Sequence, residues 1–443
     1  MLNDEIGHEM KQEKPFNWKR NVALFMAGQG LTLFGSMLVH YAVMWHIALA
    51  TQSGLMMTLI SITGTLPIVF ISPFAGVWAD RFNKKHLINL SDAIVALFTL
   101  AMAALFSFEI EMTGFLLVCL VMRALGQGVQ GPTVTALVPE LAPPESLDRV
   151  NGINGSIQSL VMFASPLAGG AMLAFAPIQS LLFIDVITAA IGISILQFFV
   201  KTPDRAQERE SQPNASQYFK EIGEGIKYVG SHPFLRKALL LSALFNFLMV
   251  PSASLTPLQV ARRWGDDIWR IFGGVLFGPE QRLAAAEVLF FIGMMLGGLV
   301  LFYWGGFKNR SHTIGLSIAL QSIGIVGLGL SSNFWLFIVC MLYVGLFINL
   351  FNPSIMTMLQ LNIDSAYMGR VFSVMAMIGS LMSPLGMVLW GPLSDRITAD
   401  WIFISTGIIN ALLSSLFFFD RTMLEAGFTQ PVPSPSGEES GSD

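Results

Sequence analysis

A chain of 443 residues with 53% hydrophobic and only 12% charged side chains falls far below the roughly 25% charge of a soluble domain. It is too long to hide that apolar excess in one water-soluble core, so a soluble protein is excluded, a lipid-embedded fold is implied and no nucleic-acid partner is expected. The net charge of −4 decides little; the placement of the charges decides more.

Residues 1–21 are polar and charged and are expected to form a cytoplasmic N-terminal segment. The apolar run behind them is longer than the core of a cleavable signal peptide. Twelve apolar runs follow, near 22–50, 54–79, 87–108, 113–137, 151–175, 179–200, 234–258, 284–305, 312–330, 333–357, 368–392 and 400–420. Each is long enough, as a helix, to cross about 30 Å of hydrocarbon. A β-barrel would need short alternating segments, which a run such as "FLLVCLVMRALGQGVQG" does not offer. The chain is therefore predicted to be all-α and polytopic, with six helices in 22–200 and six in 234–421. The linker 201–233 between them carries Phe219, Ile222, Ile226 and Val229 at helical spacing, which predicts a short amphipathic helix at the membrane surface.

Residues 259–283 form an extended loop between helices 7 and 8 with charges of mixed sign, among them Arg262, Arg263, Asp266, Asp267 and Arg282. Trp264, Ile268, Trp269 and Phe272 suit an interfacial amphipathic segment. It either caps the outer mouth or is an insertion without a transport role. The tail 422–443 is expected to be cytoplasmic and mostly disordered, since 429–443 is rich in Pro, Ser and acid. Basic residues gather on one side of the spans, including Arg81, Lys84, Lys85, Arg149, Lys308 and Arg370, which places both termini in the cytoplasm. Cys119 and Cys340 lie in apolar runs, and no disulfide is expected.

The two halves echo each other at an offset near 225 residues: "RFNKKH" after span 2 matches "GFKNRSH" after span 8. Duplicated bundles about a linker are the plan of an alternating-access transporter. Two motifs carry charge into this plan. In "GVWADRFNKKH", Gly76 would allow close helix approach, Asp80 sits at a helix C-terminus where an anion needs a partner, and Arg81 and Lys85 supply positive charge. In "RALGQGVQGP", Arg123 lies deep in span 4 and must face a polar partner, with Gly126, Gly128 and Gly131 thinning the helix beside it. Asp92 in span 3, another polar side chain and a backbone carbonyl are its candidate partners.

The first motif resembles the cytoplasmic loop signature of the major facilitator superfamily, and the second resembles the Arg-bearing helix of its proton-coupled members. Segments such as "NWKRNVALFMAGQGLTLFGS" and "YMGRVFSVMAMIGSLMSPLGMVLWGPLSDRI" are similar to the macrolide-efflux branch of bacterial drug/proton antiporters, over roughly residues 17–420. The resemblance implies the major facilitator fold, with twelve transmembrane helices in two six-helix bundles. It also implies export of amphiphilic drugs by proton antiport across the bacterial inner membrane, by a monomer in contact with membrane lipids. In that family the cluster Gly76, Asp80, Arg81 and Lys85 latches the halves in the outward-facing state; Gly305 and Gly306 stand in place of the acid and Arg in the second half. Asp92, Asp185 and Glu287 fall on acidic positions of the branch, in helices 3, 6 and 8.

Proton coupling needs a group that alternates between buried and wet. Asp185 and Glu287 are the candidates for the coupling proton, and Asp92 is placed nearer a structural role. Since spans 1, 4, 7 and 10 line the cavity in the superfamily, Gln29, Phe34, Asn246, Phe247, Asn349 and Asn352 are its candidate lining. No HExxH, nucleophile elbow or P-loop occurs, so no enzyme, cofactor or metal is expected. Siderophore export, lipid movement and a non-transporting receptor or scaffold stay open as alternatives.

Overall fold

The computed structural model describes residues 17–108, 113–173, 175–202, 215–265, 269–271, 275–365 and 367–428; the first sixteen residues and the tail from 429 lie outside them. Twelve helices among the described residues are long and apolar enough to span a membrane. The first bundle comprises α1 (Trp18–Thr51), α2 (Gly54–Arg81), α3 (Lys84–Ser107), α4 (Thr113–Leu141), α5 (Leu147–Leu173) and α6 (Ile178–Ser194), the last running into a π-turn at Ile195–Phe199. A linker helix α7 (Ala215–Ser231) precedes the second bundle. That bundle comprises α8 (Pro233–Ser254) with the short α9 (Thr256–Trp264), then α10 (Pro279–Trp304), α11 (Arg310–Leu330), α12 (Phe334–Asn362), α13 (Met368–Ser394) and α14 (Ala399–Phe419), followed by a last short helix α15 (Arg421–Ala426). Polar caps mark the starts. The side chains of Ser53, Asn83 and Asn333 accept from the backbone N–H groups of Met56, His86 and Leu336, three residues on.

One departure from an all-helical chain lies in the loop between α9 and α10. There β1 (Trp269–Ile271) and β2 (Val275–Phe277) pair antiparallel, Trp269 opposite Phe277. Of the segment expected at the interface, α9 and the two strands are described, while Ile268 and Phe272 lie outside the described residues. α10 starts at Pro279, earlier than the hydropathy suggests, because Pro suits the first helical turn. Arg282, fully buried, donates to the Trp264 carbonyl and ties the start of α10 to the end of α9.

The helix ends on the side of Trp18 and Phe419 are labelled inner and the opposite ends outer, after the placement expected from the basic residues. Within the first bundle α1 packs on α5 and α6, and α4 on α2 and α3; within the second α11 packs on α12 and α14, and α10 on α12. The halves meet through α2 on α13, α5 on α10 and α1 on α9. The joining bonds lie at the outer ends. Gly54 N donates to Asp395 Oδ1 at 2.7 Å, Thr58 Oγ1 to the Met387 carbonyl at 2.9 Å, and Gln281 Nε2 to the Gly170 carbonyl at 3.0 Å. Gly54 and Gly391 touch so closely that a Cβ on either would strike the other's carbonyl.

Toward the inner end the picture reverses. Asn151, Ser156, Gln158 and Ser159 are exposed along the inner half of α5, and Asn352 and Gln360 along that of α12. Polar side chains at membrane depth need water or a partner. Their exposure marks an aqueous opening between the halves, shut outside and open inside. The linker helix rides on the second bundle. Tyr228 stacks on Tyr367 at 4.2 Å and donates to Asp364 at 3.0 Å, while Glu224 pairs with Arg370 at 3.5 Å.

Candidate transport site

α4 delivers Arg123 and α6 delivers Asp185 into the interior of the first bundle, where they are 4% and 0% exposed. Arg123 Nη1 donates to Asp185 Oδ2 at 2.7 Å. Thr99 Oγ1 of α3 lies 2.8 Å from the same oxygen, and Ser36 Oγ of α1 donates to Oδ1 at 3.2 Å. One carboxylate thus joins four helices. Small residues make this possible: Gly35 faces Asp185 and Thr188, and Gly192 faces Thr32 and the Gly28 carbonyl, so α1 and α6 approach closely. Asp185, not Asp92, is the partner of Arg123. The sequence left Asp92, another polar side chain and a backbone carbonyl open as partners; the hydroxyls of Ser36 and Thr99 gave no signal, being common in such helices.

Asp92 belongs to a second polar group nearer the inner end. It is 1% exposed, and its Oδ1 accepts from Gln130 Nε2 at 2.5 Å. That nitrogen also lies 3.3 Å from Gln29 Oε1. Asp92 Oδ2 is buried with no hydrogen-bond partner among the described residues. Gly126 lets α4 approach α3 here, since a Cβ would meet Val95 Cγ2 at 2.8 Å and the Ser91 carbonyl at 3.1 Å. Gly131 and Gly76 play no such part: a Cβ on either would meet nothing within 4 Å. The expected close approach at Gly76 is corrected accordingly.

A chamber of about 340 Å³ lies between the halves; a second, of about 290 Å³, is lined by the second bundle alone, and the two share Ala253, Ser254, Glu287 and Ser383. The first is walled by His40, Tyr41, Arg123 and Gln127 among others. The second is apolar, with Met249, Phe290, Met341 and Ile348, and Asn246 at its margin. Among the described residues Glu287 is the one acid lining either chamber. It makes no hydrogen bond or ion pair with any described residue. Asn246 also lines a further pocket of about 260 Å³ with Asn352. Phe34, Phe247 and Asn349 line neither chamber. Asn349 instead donates to the Met294 carbonyl at 2.7 Å, and the Phe247 carbonyl accepts from Trp390 Nε1 at 3.2 Å.

Lys84 and Lys85 of the loop after α2 bond within the first bundle in this conformation. Lys85 Nζ donates to the carbonyls of Gln197 and Val200 at 2.8 and 2.9 Å, satisfying the C-terminal end of α6. Lys84 pairs with Glu140 of α4 at 2.7 Å. Asp80 is half-buried and Arg81 exposed at the end of α2.

The outer corner holds a latch that sequence reasoning missed. Arg262 of α9 donates to the Gln52 carbonyl at 3.0 and 2.6 Å, to the Ser394 carbonyl at 2.5 Å and to Asp395 Oδ1 at 2.6 Å. Asp395 also accepts from the N–H groups of Gly54 and Leu55 at 2.7 and 2.9 Å, at the N-terminus of α2. Burial alone would push the Asp395 carboxyl up; the bonds from Gly54, Leu55 and Arg262 outweigh it and hold the group below its ordinary value of 3.8.

A family model of the Major Facilitator Superfamily matches residues 21–279 and 277–438. Macrolide efflux protein A of Streptococcus pyogenes is 28% identical over 403 residues, spanning 90% of this chain and 95% of that protein. Multidrug efflux pump Tap of Mycolicibacterium fortuitum is 23% identical over 400 residues, spanning 89% and 92%. In structure the chain is similar to a bacterial homologue of the human lysosomal transporter Spinster in an inward-facing, unoccupied conformation. The TM-score is 0.69 at 15% identity, covering 95% of this chain and 100% of that one. It is also similar to a bacterial homologue of the iron transporter ferroportin in an inward-facing state, with a TM-score of 0.64 at 14% identity over 90% and 98% of the two chains. Two six-helix bundles around a central cavity and a match along both halves carry one conclusion: the chain belongs to the Major Facilitator Superfamily and is a multi-pass membrane transporter.

Proposed function

We propose that the protein exports amphiphilic drugs, macrolides among them, by proton antiport with alternating access. It works as a monomer in the bacterial inner membrane, with both termini cytoplasmic. The observation that carries this reading is Glu287: a lone acid without a protein partner, in a cavity shut at its outer end and open at its inner end. A carboxylate at membrane depth is costly unless it binds a proton or a cation. Glu287 meets that demand only with something that arrives and leaves. Asp185 meets it permanently through Arg123, Thr99 and Ser36. We therefore assign the coupling proton to Glu287. Asp185 fixes four helices as one rocking body, and Asp92 keeps a structural place beside Gln130 and Gln29.

The proposed cycle exchanges the two occupants across the membrane. In the inner-open state the substrate enters from the cytoplasmic side and the proton leaves Glu287 into the cytoplasm. The halves rock, the outer seam parts, and a proton from outside takes the carboxylate as the substrate departs. The names of the relatives, macrolide efflux and multidrug efflux, support the substrate class.

The test is accumulation of radiolabelled erythromycin in proteoliposomes under an imposed pH gradient. Wild type is expected to accumulate the drug only with the gradient, and Glu287→Gln to lose at least tenfold of that rate while staying folded. Transport that ignores the gradient would sink the antiport. No transport by intact, folded wild type would remove the macrolide.

A further inference from the structure

A cavity of about 870 Å³ lies at the outer end of the first bundle, larger than either chamber at Glu287. That is the size of a site for a drug-sized molecule. The outer ends of all six helices of the first bundle wall it, joined by Glu280 from the start of α10 in the second. Met56, Leu105, Phe106, Leu116 and Leu173 give it an apolar lining, and the His46 ring stands edge-on to Phe106 at 5.1 Å. Its polar groups are mostly acceptors without donors. The Glu280 side chain makes no hydrogen bond or ion pair with any described residue. Gln179 donates Nε2 to the Phe106 carbonyl at 2.8 Å, and its Oε1 is buried without a hydrogen-bond partner among the described residues. Among the described residues no Lys or Arg lines the cavity. A free carboxylate and an orphaned amide oxygen both gain from a positive group that carries N–H donors, and the apolar lining gains from a hydrocarbon body. The cavity also borders the outer seam. Gln281, next to Glu280, donates to the Gly170 carbonyl at 3.0 Å, and a Cβ on Gly170 would meet the Glu280 carbonyl at 3.3 Å. Glu280 therefore reaches the cavity while α10 is docked on α5.

We infer that this cavity is a second binding site, filled from outside by a protonated amphiphilic amine, and that the occupant holds the outer seam shut by bonding Glu280 of one half and Gln179 of the other. When the seam parts, Glu280 leaves with α10 and the site loses its carboxylate. A ligand that favours one conformation draws the population toward it. The site is therefore inhibitory: a filled cavity stalls the transporter open to the inside. The inference needs only that the halves part at the outer seam, whatever the cargo.

The experiment is photo-cross-linking of a tritiated benzophenone carrying a hexylamine chain to the full-length protein in lipid nanodiscs, with the labelled peptides identified by mass spectrometry. Wild type is expected to take label around Met56, Phe106, Leu116 and Leu173. Glu280→Gln should cut that label about tenfold, the scale of one charge-assisted hydrogen bond. Glu280→Asp should restore part of it, the N-acetylated, uncharged probe should label about tenfold less, and the surface control Glu145→Gln should change nothing. The second readout is labelling of Ser254→Cys by an impermeant maleimide from outside, with Cys119 and Cys340 replaced by Ser. The amine should slow it about fivefold, the lower end of ordinary coupling between sites, and should not slow it once Glu280→Gln is added. Label confined to the central chambers, equal label in wild type and Glu280→Gln, or no label on folded wild type would each overturn the site. Glu280-dependent label with Ser254→Cys labelling unchanged would overturn the hold on the seam. Failure of erythromycin flux alone would overturn the macrolide reading and leave this site standing.

Discussion

Arg123 and Glu287 line the same chamber, yet their neighbours give them different work. Asp185 takes three hydrogen bonds, one of them from Arg123, so removing one partner of the ion pair strands the other. Asp185→Asn is expected to cost about 3–5 kcal/mol, the scale for breaking a buried ion pair. It should lower the thermal midpoint of purified protein by several degrees. An apolar double change, Arg123→Met with Asp185→Leu, should recover most of that loss, because no lone charge remains. An Asp185→Asn protein as stable as wild type would refute the pairing as a structural element. The sequence revealed that both residues needed explanation, since a charge in an apolar run is expensive. It did not reveal the pairing, which depends on where α6 falls against α4, and no periodicity records that. Glu287 was legible as an acid in span 8, but its lack of a partner became visible only once the chambers were in place.

Among the elements, α9 matters more than its nine residues suggest. Its Arg262 crosses from the second bundle to the corner between α1 and α2, where Asp395 of the α13 terminus already caps α2. The sign of the pH effect follows. Asp395 has its carboxyl lowered in the latched state, so its contribution is present above the ordinary carboxylate range and is lost as pH falls through the lower, latched value. External pH between about 5 and 8 should therefore leave the latch intact, since an unperturbed Asp titrates near 3.9. Asp395→Asn and Arg262→Ala should loosen it at every pH. The readout is labelling of Ser254→Cys by an impermeant maleimide from outside, with Cys119 and Cys340 replaced by Ser. Faster labelling is expected in both variants, and unchanged labelling would remove the latch. Residues 259–283 left two readings open, a cap or an inert insertion, because mixed charges and interfacial aromatics fit both. Gly76 was chosen for close packing on its motif, whereas Gly54 and Gly391 do that work; with 41 glycines in the chain, composition cannot rank them.

For the whole molecule, hydropathy made the twelve spans and their division into halves legible, because a lipid environment leaves few other solutions. The conformation was not legible, since inward-open and outward-open forms share every helix. It emerges from which ends touch: backbone against backbone outside, exposed polar side chains inside. Holding the outer seam apart should shift the balance. A Cβ at Gly391 would strike Thr58 Oγ1 and the Gly54 carbonyl, so Gly391→Val should raise outside labelling at Ser254→Cys and slow export.

That glycine seam bears on a different matter, the tightness of the membrane itself. Any machine that admits protons from outside is one faulty closure away from becoming a proton pore and discharging the gradient that drives it. Side chains at a closure swing between rotamers and let a file of water through; at Gly54 and Gly391 backbone meets backbone, and the hydroxyls beside them, Thr58 and Ser394, are held by backbone carbonyls. Gly391→Val liposomes loaded with a pH-sensitive dye should acidify faster under a gradient with no drug present. An unaltered leak would place the seal elsewhere in the outer half.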